Sequence, residues 1–316
     1  GLRFAVCTLG TTGHAIFQYI NKILAEMKLT DIFRESVKTY SFEFYPPRDE
    51  ISAVDFGINV GQLMRLSPSF VSVTYGAGGS NQNRTFELVD YLKNKVGINT
   101  VAHYTCVNTS RDRALKDLSE LRSRGLQNFM LLRGDLQKDS GGAYIPAKDG
   151  FGHASELVAF AREHFADCCI GAGCYPEVHP EAPHAFADIR HLKEKVDAGC
   201  DFLVTQFFFD NAHYFDFVRR AREAGISCRI IPGIIPLTHY SQLERFVKLS
   251  NTSIPSFFAE QLEVYKNDPK SVYKAGMDFA IKQCRDLLMM GAPGLHFYTL
   301  NKSRATVEIY QTLLGR

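Results

Sequence analysis

The stretch Ser41-Phe42-Glu43-Phe44-Tyr45-Pro46-Pro47 decides how the rest of the chain is read. Its alternation predicts a strand with Ser41, Glu43 and Tyr45 on one face and Phe42 and Phe44 on the other. Pro46 and Pro47 cannot donate to a ladder and end the strand at once. A carboxylate inside an apolar strand is costly to bury ionised, so Glu43 must be paired, solvated or protonated. A strand-end Glu facing a loop is the plain reading of such a residue. It is lifted above that reading because strands ending in polar residues recur down the chain.

Working outward, the apolar runs are 41–45, 70–75, 100–107, 128–133, 168–175, 202–208, 229–234 and 294–300. Segments of helical period lie between them at 54–66, 84–95, 111–124, 154–164, 185–198 and 212–224, with a long region over 241–290. Gly97, Gly125, Gly199, Gly225 and Gly291 each follow a helical segment and precede a strand, as helix C-caps do. Eight β-then-α units with near-continuous apolar strands predict an α/β (β/α)₈ TIM barrel, with additional helices before the last strand. A doubly wound sheet would need a topological switch and typically fewer strands. Thr12–Lys28 carries Ile16, Ile20, Ile23, Leu24 and Met27 at helical spacing, which predicts an extra N-terminal helix. Residues 1–37 are therefore expected to form an N-terminal extension and 38–316 the barrel.

Composition bounds the function classes. The 316 residues are 45% hydrophobic and 22% charged, with a net charge of +2, which points to neither a nucleic-acid binder nor a polybasic membrane protein. No apolar run reaches the roughly 20 residues of a membrane span, and no secretory cleavage pattern follows the first residues. Eight cysteines, with no Cys-x-x-Cys pair, lie mostly in apolar runs and read as reduced thiols of a cytoplasmic protein.

In a barrel, sites form at the C-terminal ends of the strands. Those ends supply Glu43, Thr74, His103, Arg133 with Gly134 and Asp135, Tyr175 and Gln206. Thr74-Tyr75-Gly76-Ala77-Gly78-Gly79-Ser80 is a glycine-rich loop suited to close approach of a ligand, but it does not fit Gly-x-Gly-x-x-Gly. Arg133 and Asp135 form either a local salt bridge or a ligand site in which the cation meets phosphate. His179 and His184 suggest a metal, but their spacing fits no helical ligand pair and no third ligand lies nearby, so no metal is expected. Asp188, His191 and Lys195 share one helix face, either solvated or placed to bind a ribose or pyrophosphate. Gln206 can pair with a planar heterocycle. Phe246, with Gln242 four residues before it, reads by itself as core.

Together Ser41–Pro47, Val71–Ala77, Leu132–Asp135, Tyr175–Ala182, Thr205–Phe209 and His296–Asn301 closely resemble the methylenetetrahydrofolate reductase family, in the same order and over the chain from about Ile32 onward. The resemblance implies a barrel holding FAD non-covalently. It implies reduction of 5,10-methylenetetrahydrofolate to 5-methyltetrahydrofolate by NADH or NADPH, in a ping-pong sequence. It makes Glu43 the general acid that helps open the folate ring, and Asp135 the acidic group near flavin and pterin. Gln206, Gln242, Phe246 and Thr74 become substrate contacts. Thr74, His103, Arg133, Gly134, Asp135, Ala154, Tyr175, Asp188, His191 and Lys195 become FAD contacts. To act as an acid, Glu43 must hold its proton at working pH, which burial favours. The expected partners are folate and a nicotinamide dinucleotide, with neither nucleic acid nor membrane, in a homodimer or homotetramer. The regulatory domain that binds S-adenosylmethionine in larger eukaryotic members is expected to be missing or removed. Two alternatives stand beside this reading: another flavin barrel oxidoreductase of proline dehydrogenase type, and a non-catalytic folate- or flavin-binding subunit. Turnover with methylenetetrahydrofolate separates the first, and flavin colour with NAD(P)H oxidation separates the second.

Overall fold

Nine parallel strands, each hydrogen-bonded to its neighbour in the order β7-β6-β5-β4-β3-β2-β1-β9-β8, wind into one sheet in a computed structural model that describes residues 26–75, 82–135, 144–250 and 252–315. The strands are β1 Thr39–Phe44, β2 Phe70–Val73, β3 Thr100–Thr105, β4 Asn128–Leu132, β5 Cys169–Cys174, β6 Phe202–Thr205, β7 Arg229–Ile231, β8 Gly233–Ile234 and β9 Gly294–Tyr298. The seventh expected run, 229–234, is thus two strands parted by one residue. Pro232 has no N–H to give a ladder, and there the chain changes partners. Its first half pairs with β6 and its second with β9, so the sheet closes covalently through a proline, with His296 N donating to the Pro232 carbonyl at 3.0 Å.

The helices are α1 Leu29–Glu35, α2 Glu50–Met64, α3 Gln82–Asp90 continued by a π-helical turn Tyr91–Val96, α4 Arg111–Ser123, α5 Ala154–His164, α6 Ala185–Asp197 and α7 Asn211–Glu223. The long region before the last strand resolves into α8 Gln242–Ser250, α9 Ser256–Tyr265 and α10 Pro269–Met289, and α11 Arg304–Leu314 follows β9. Starts are set by local chemistry: Asp49 and Ser52 form a reciprocal capping box on α2, Ser110 caps α4, and Asp268 with Pro269 opens α10. All five glycines expected as C-caps have positive φ. Arg122, Arg162 and Arg222, in the last turns of α4, α5 and α7, repeat one device, each guanidinium binding carbonyls of the following loop. The expected helix over Thr12–Lys28 lies almost wholly outside the described residues, as does the glycine-rich loop from Gly76 to Ser80. No helix among the described residues is long and apolar enough to cross a membrane.

Alternation sorts each strand onto two faces. Phe42, Phe44, Val71, Val73, Tyr104, Phe129, Leu131 and Phe297 point outward into the layer beneath the helices. Phe70, Val101, Met130, Cys169, Phe202 and Val204 point inward and fill the lower barrel. Phe202 occupies the space opposite Gly171, where an added Cβ would stand 2.3 Å from the ring. α1 plugs the N-terminal end: Leu29 and Ile32 are buried against that inner cluster, and Phe33 meets Phe70 and Phe202 edge-on. Leu29 N donates to Asn128 Oδ1 at 2.9 Å, and Arg229 donates to the carbonyls of Phe33, Ser36, Val37 and Pro293. With the bottom filled and plugged among the described residues, the barrel opens toward the C-terminal ends of the strands.

Candidate active site

The inner face of β1 turns polar as it rises. Register places Ser41 beside His296 and Glu43 beside Tyr298. Ser41 Oγ and His296 Nδ1 share a hydrogen bond of 2.8 Å, and the His296 ring, 1% exposed, stacks on Phe70. Glu43 Oε2 stands 3.7 Å from His296 Nε2 and 3.6 Å from His103 Nε2. Burial, only partly offset by the Glu43 charge, pushes His103 down to about 4, so this imidazole faces the carboxyl as a neutral ring. Its Nε2 is buried and makes no hydrogen bond among the described residues.

Above this floor opens a cavity of about 650 Å³. Glu43, Thr74, His103, Arg133, Gly134, Asp135, Ala154, Tyr175, Lys195, Gln206 and Phe246 all line it, so polar ends of six consecutive strands meet at one mouth. A smaller adjoining cavity of about 330 Å³ shares Arg133, Ala154, Tyr175 and Lys195 with it and adds Asp188 and His191. Gln242 lines neither. Its side-chain oxygen accepts from the backbone N–H groups of Thr238 and His239, at 2.7 and 2.9 Å, which spends the amide on holding the start of α8. Phe246, one turn on, is buried against Phe207 and Phe209 and still forms part of the cavity wall.

The pairing of Arg133 differs from the local reading. Its guanidinium makes a two-pronged salt bridge to Glu181, 2.6 and 2.5 Å, rather than to Asp135, and lies over the Tyr144 ring at 5.0 Å. Sequence distance misled here, because the turn after β5 folds across the end of β4. At the end of β4 the chain turns at Gly134, φ +90°, where a Cβ would meet Val107 at 2.7 Å. Asp135 is left exposed at the rim. Its charge adds to burial in pushing the Tyr175 phenol up to about 12. Lys195 Nζ donates to the Gly173 carbonyl at 2.9 Å, Asp188 accepts the His179 N–H at 3.0 Å, and the exposed His191 pairs with Glu194. Gln206 uses its side-chain oxygen on the Phe207 N–H at 3.0 Å.

Sequence reasoning assigned no site role to His296, Tyr298 or Glu181, and weighed His179 only as a metal ligand. The first two were within reach: the alternation used for β1, applied to β9, puts His296 and Tyr298 on its inner face. Glu181 and His179 reach the cavity only through the turn after β5, whose path no periodicity foretells.

The sequence profile of the family described as methylenetetrahydrofolate reductase matches residues 28–314. A 5,10-methylenetetrahydrofolate reductase of Salmonella typhimurium is 37% identical over 273 residues, covering 86% of this chain and 90% of the relative. Methylenetetrahydrofolate reductase (NADH) 1 of Arabidopsis thaliana is 33% identical over 296 residues, 90% of this chain but 50% of the plant protein. Among solved structures, an uncharacterized Clostridium thermocellum protein that binds two copies of 5-methyl-5,6,7,8-tetrahydrofolic acid superposes with a TM-score of 0.61. It covers 90% of this chain and 98% of that one, at 14% identity, a likeness of fold alone. The barrel, the order of its motifs and these matches place the chain in the methylenetetrahydrofolate reductase family.

Proposed function

We propose that this protein reduces 5,10-methylenetetrahydrofolate to 5-methyltetrahydrofolate in one-carbon metabolism, with NADH or NADPH as donor and a non-covalently bound FAD. The observation that carries the reading is a carboxyl, Glu43, held between two imidazoles at the floor of the large cavity of this family's barrel. The residues present suit a flavin dinucleotide. Two adjoining cavities offer the space, Arg133 and Lys195 bring cations to the part they share, and the buried His103 Nε2, without a hydrogen bond among the described residues, is a polar atom that a ligand would satisfy. Thr74, His103, Arg133, Gly134, Ala154, Tyr175, Asp188, His191 and Lys195 would hold it. When bound, FAD supplies the hydride chemistry, and the protein supplies placement and a proton.

In this reading nicotinamide and folate use the larger cavity in turn. Gln206 and Phe246 hold the planar ring, with Thr74 at its edge. Glu43 donates its proton to the departing ring nitrogen as the five-membered ring opens to the reactive iminium. His103, neutral beside it, adds no competing positive charge. Asp135 sets a negative charge at the rim, which opposes charge build-up on the ring system below. Gln242 contributes by holding the start of α8. The test is the visible spectrum of the purified protein, its anaerobic bleaching by NADH and by NADPH in turn, and folate-dependent reoxidation. A colourless protein that oxidises neither donor would overturn the proposal.

A further inference from the structure

We propose that Glu177 is a positioning residue for this reaction: it fastens the segment after α8 to the turn after β5 and so keeps Phe246 in the cavity wall. The inference rests on the functional reading above, which places substrate against Phe246. Glu177 itself does not line either cavity.

The fastening is a compact polar cluster outside the site. Glu177 Oε2 accepts from Ser253 N at 2.9 Å and from Ser253 Oγ at 2.5 Å, and stands 3.7 Å from His213 Nε2 on α7. His213 Nε2 also lies 3.4 Å from Ser253 Oγ. Glu177 is largely buried, and among the described residues its other oxygen, Oε1, has no hydrogen-bond partner, so the hydrogen bonds seen for this carboxyl run to the connection between α8 and α9. The preceding residue, Thr252, is buried and donates from Oγ1 to the Phe207 carbonyl at 3.1 Å. Two consecutive residues are thus tied to two different parts of the rim, one after β5 and one after β6. At its other end α8 is held by the Gln242 side chain. Phe246 and Arg245, both lining the cavity, lie between the two anchored ends.

A second observation shows that the turn is built to present Glu177 in this way. Val178 has φ +79°, a conformation that costs a β-branched residue heavily. The two residues flanking it are anchored, Glu177 to Ser253 and His179 N to Asp188 Oδ2 at 3.0 Å. The strained residue splits the turn, sending Glu177 toward α8 and α9 while His179 and Glu181 face the cavities.

The test compares Glu177→Ala, Glu177→Gln and Ser253→Ala in the full chain, by steady-state kinetics and by hydrogen exchange of the amides of 242–250. Losing two hydrogen bonds to a carboxylate should let α8 loosen, and KM for folate should rise by about tenfold in Glu177→Ala. kcat should stay near wild type, with faster exchange confined to α8. Gln keeps an acceptor oxygen and should restore both readouts. Ser253→Ala should fall between, and adding it to Glu177→Ala should cost little more, since the bond from Ser253 Oγ to Glu177 is then already gone. Unchanged KM and exchange in Glu177→Ala would overturn the proposal, as would parallel losses of KM, kcat and stability that Gln fails to restore. Should Glu177→Ala not fold, Ser253→Ala decides: it must raise KM and α8 exchange without lowering kcat. Wild-type protein without folate turnover would sink the functional reading instead, and the exchange data would still judge the fastening.

Discussion

Glu43 is where the physics of a single residue weighs most. Its carboxyl is partly buried, with one oxygen within 4 Å of two imidazole nitrogens, one of them on a ring that burial keeps neutral. In the proposed reading this carboxyl is the proton donor, and Gln in its place keeps the shape but not the proton. Glu43→Gln should leave NAD(P)H–menadione turnover intact while folate reduction falls by about 10²–10⁴-fold, the usual worth of a general acid. Equal losses in the two assays would contradict the assignment. In the proposed reading Asp135 acts through charge, being exposed at the rim and unpaired with Arg133, which Glu181 holds. Asp135→Asn should therefore raise the two-electron flavin midpoint by about 30 mV, equivalent to about 1.4 kcal/mol. Potentiometric titration checks it; a midpoint equal to or below wild type would show the charge to be idle.

Among the elements, the plug at the barrel's N-terminal end is the clearest dependence of fold on one side chain. Arg229, at the start of β7, binds carbonyls from the segment leaving α1 and from the turn before β9. Burial lowers its pKa, a sign of the desolvation that the four carbonyls offset. Arg229→Met keeps the stem but leaves those carbonyls without their donors. Hydrogen bonds to a charged group are worth about 1.5–3 kcal/mol each, so urea denaturation should show a loss of at least about 3 kcal/mol. Flavin affinity of the surviving folded fraction should be unchanged, because the plug lies at the opposite end from the cavity.

For the molecule as a whole, His103 should be visible in the pH dependence of stability. Its native value is about 4 against an ordinary 6.5. Between those limits the unfolded chain takes up a proton that the native protein refuses, so stability is full above about pH 6.5 and declines as pH falls toward 4. At 1.36 kcal/mol per unit the decline amounts to roughly 3 kcal/mol. Urea titrations from pH 7 to 4.5 should show it, and His103→Asn should flatten the difference attributable to this group. A variant whose stability follows the wild-type curve throughout would refute the assignment.

Local alternation and helical period by themselves determined the eight β-then-α units, the five glycine C-caps and the polar strand ends that meet at the cavity. Each is a short-range property: a side chain's face follows from its parity along a strand, and a cap from the residues within one turn. The seventh strand's break at Pro232 was hidden, because an apolar run does not tell which neighbour each half will pair with. The pairing of Arg133 with Glu181 and the fastening of Ser253 by Glu177 were decided only by tertiary structure. Both depend on how turns after different strands cross one another above the barrel, and backbone direction there is set by packing and hydrogen bonds between residues 48 and 76 positions apart.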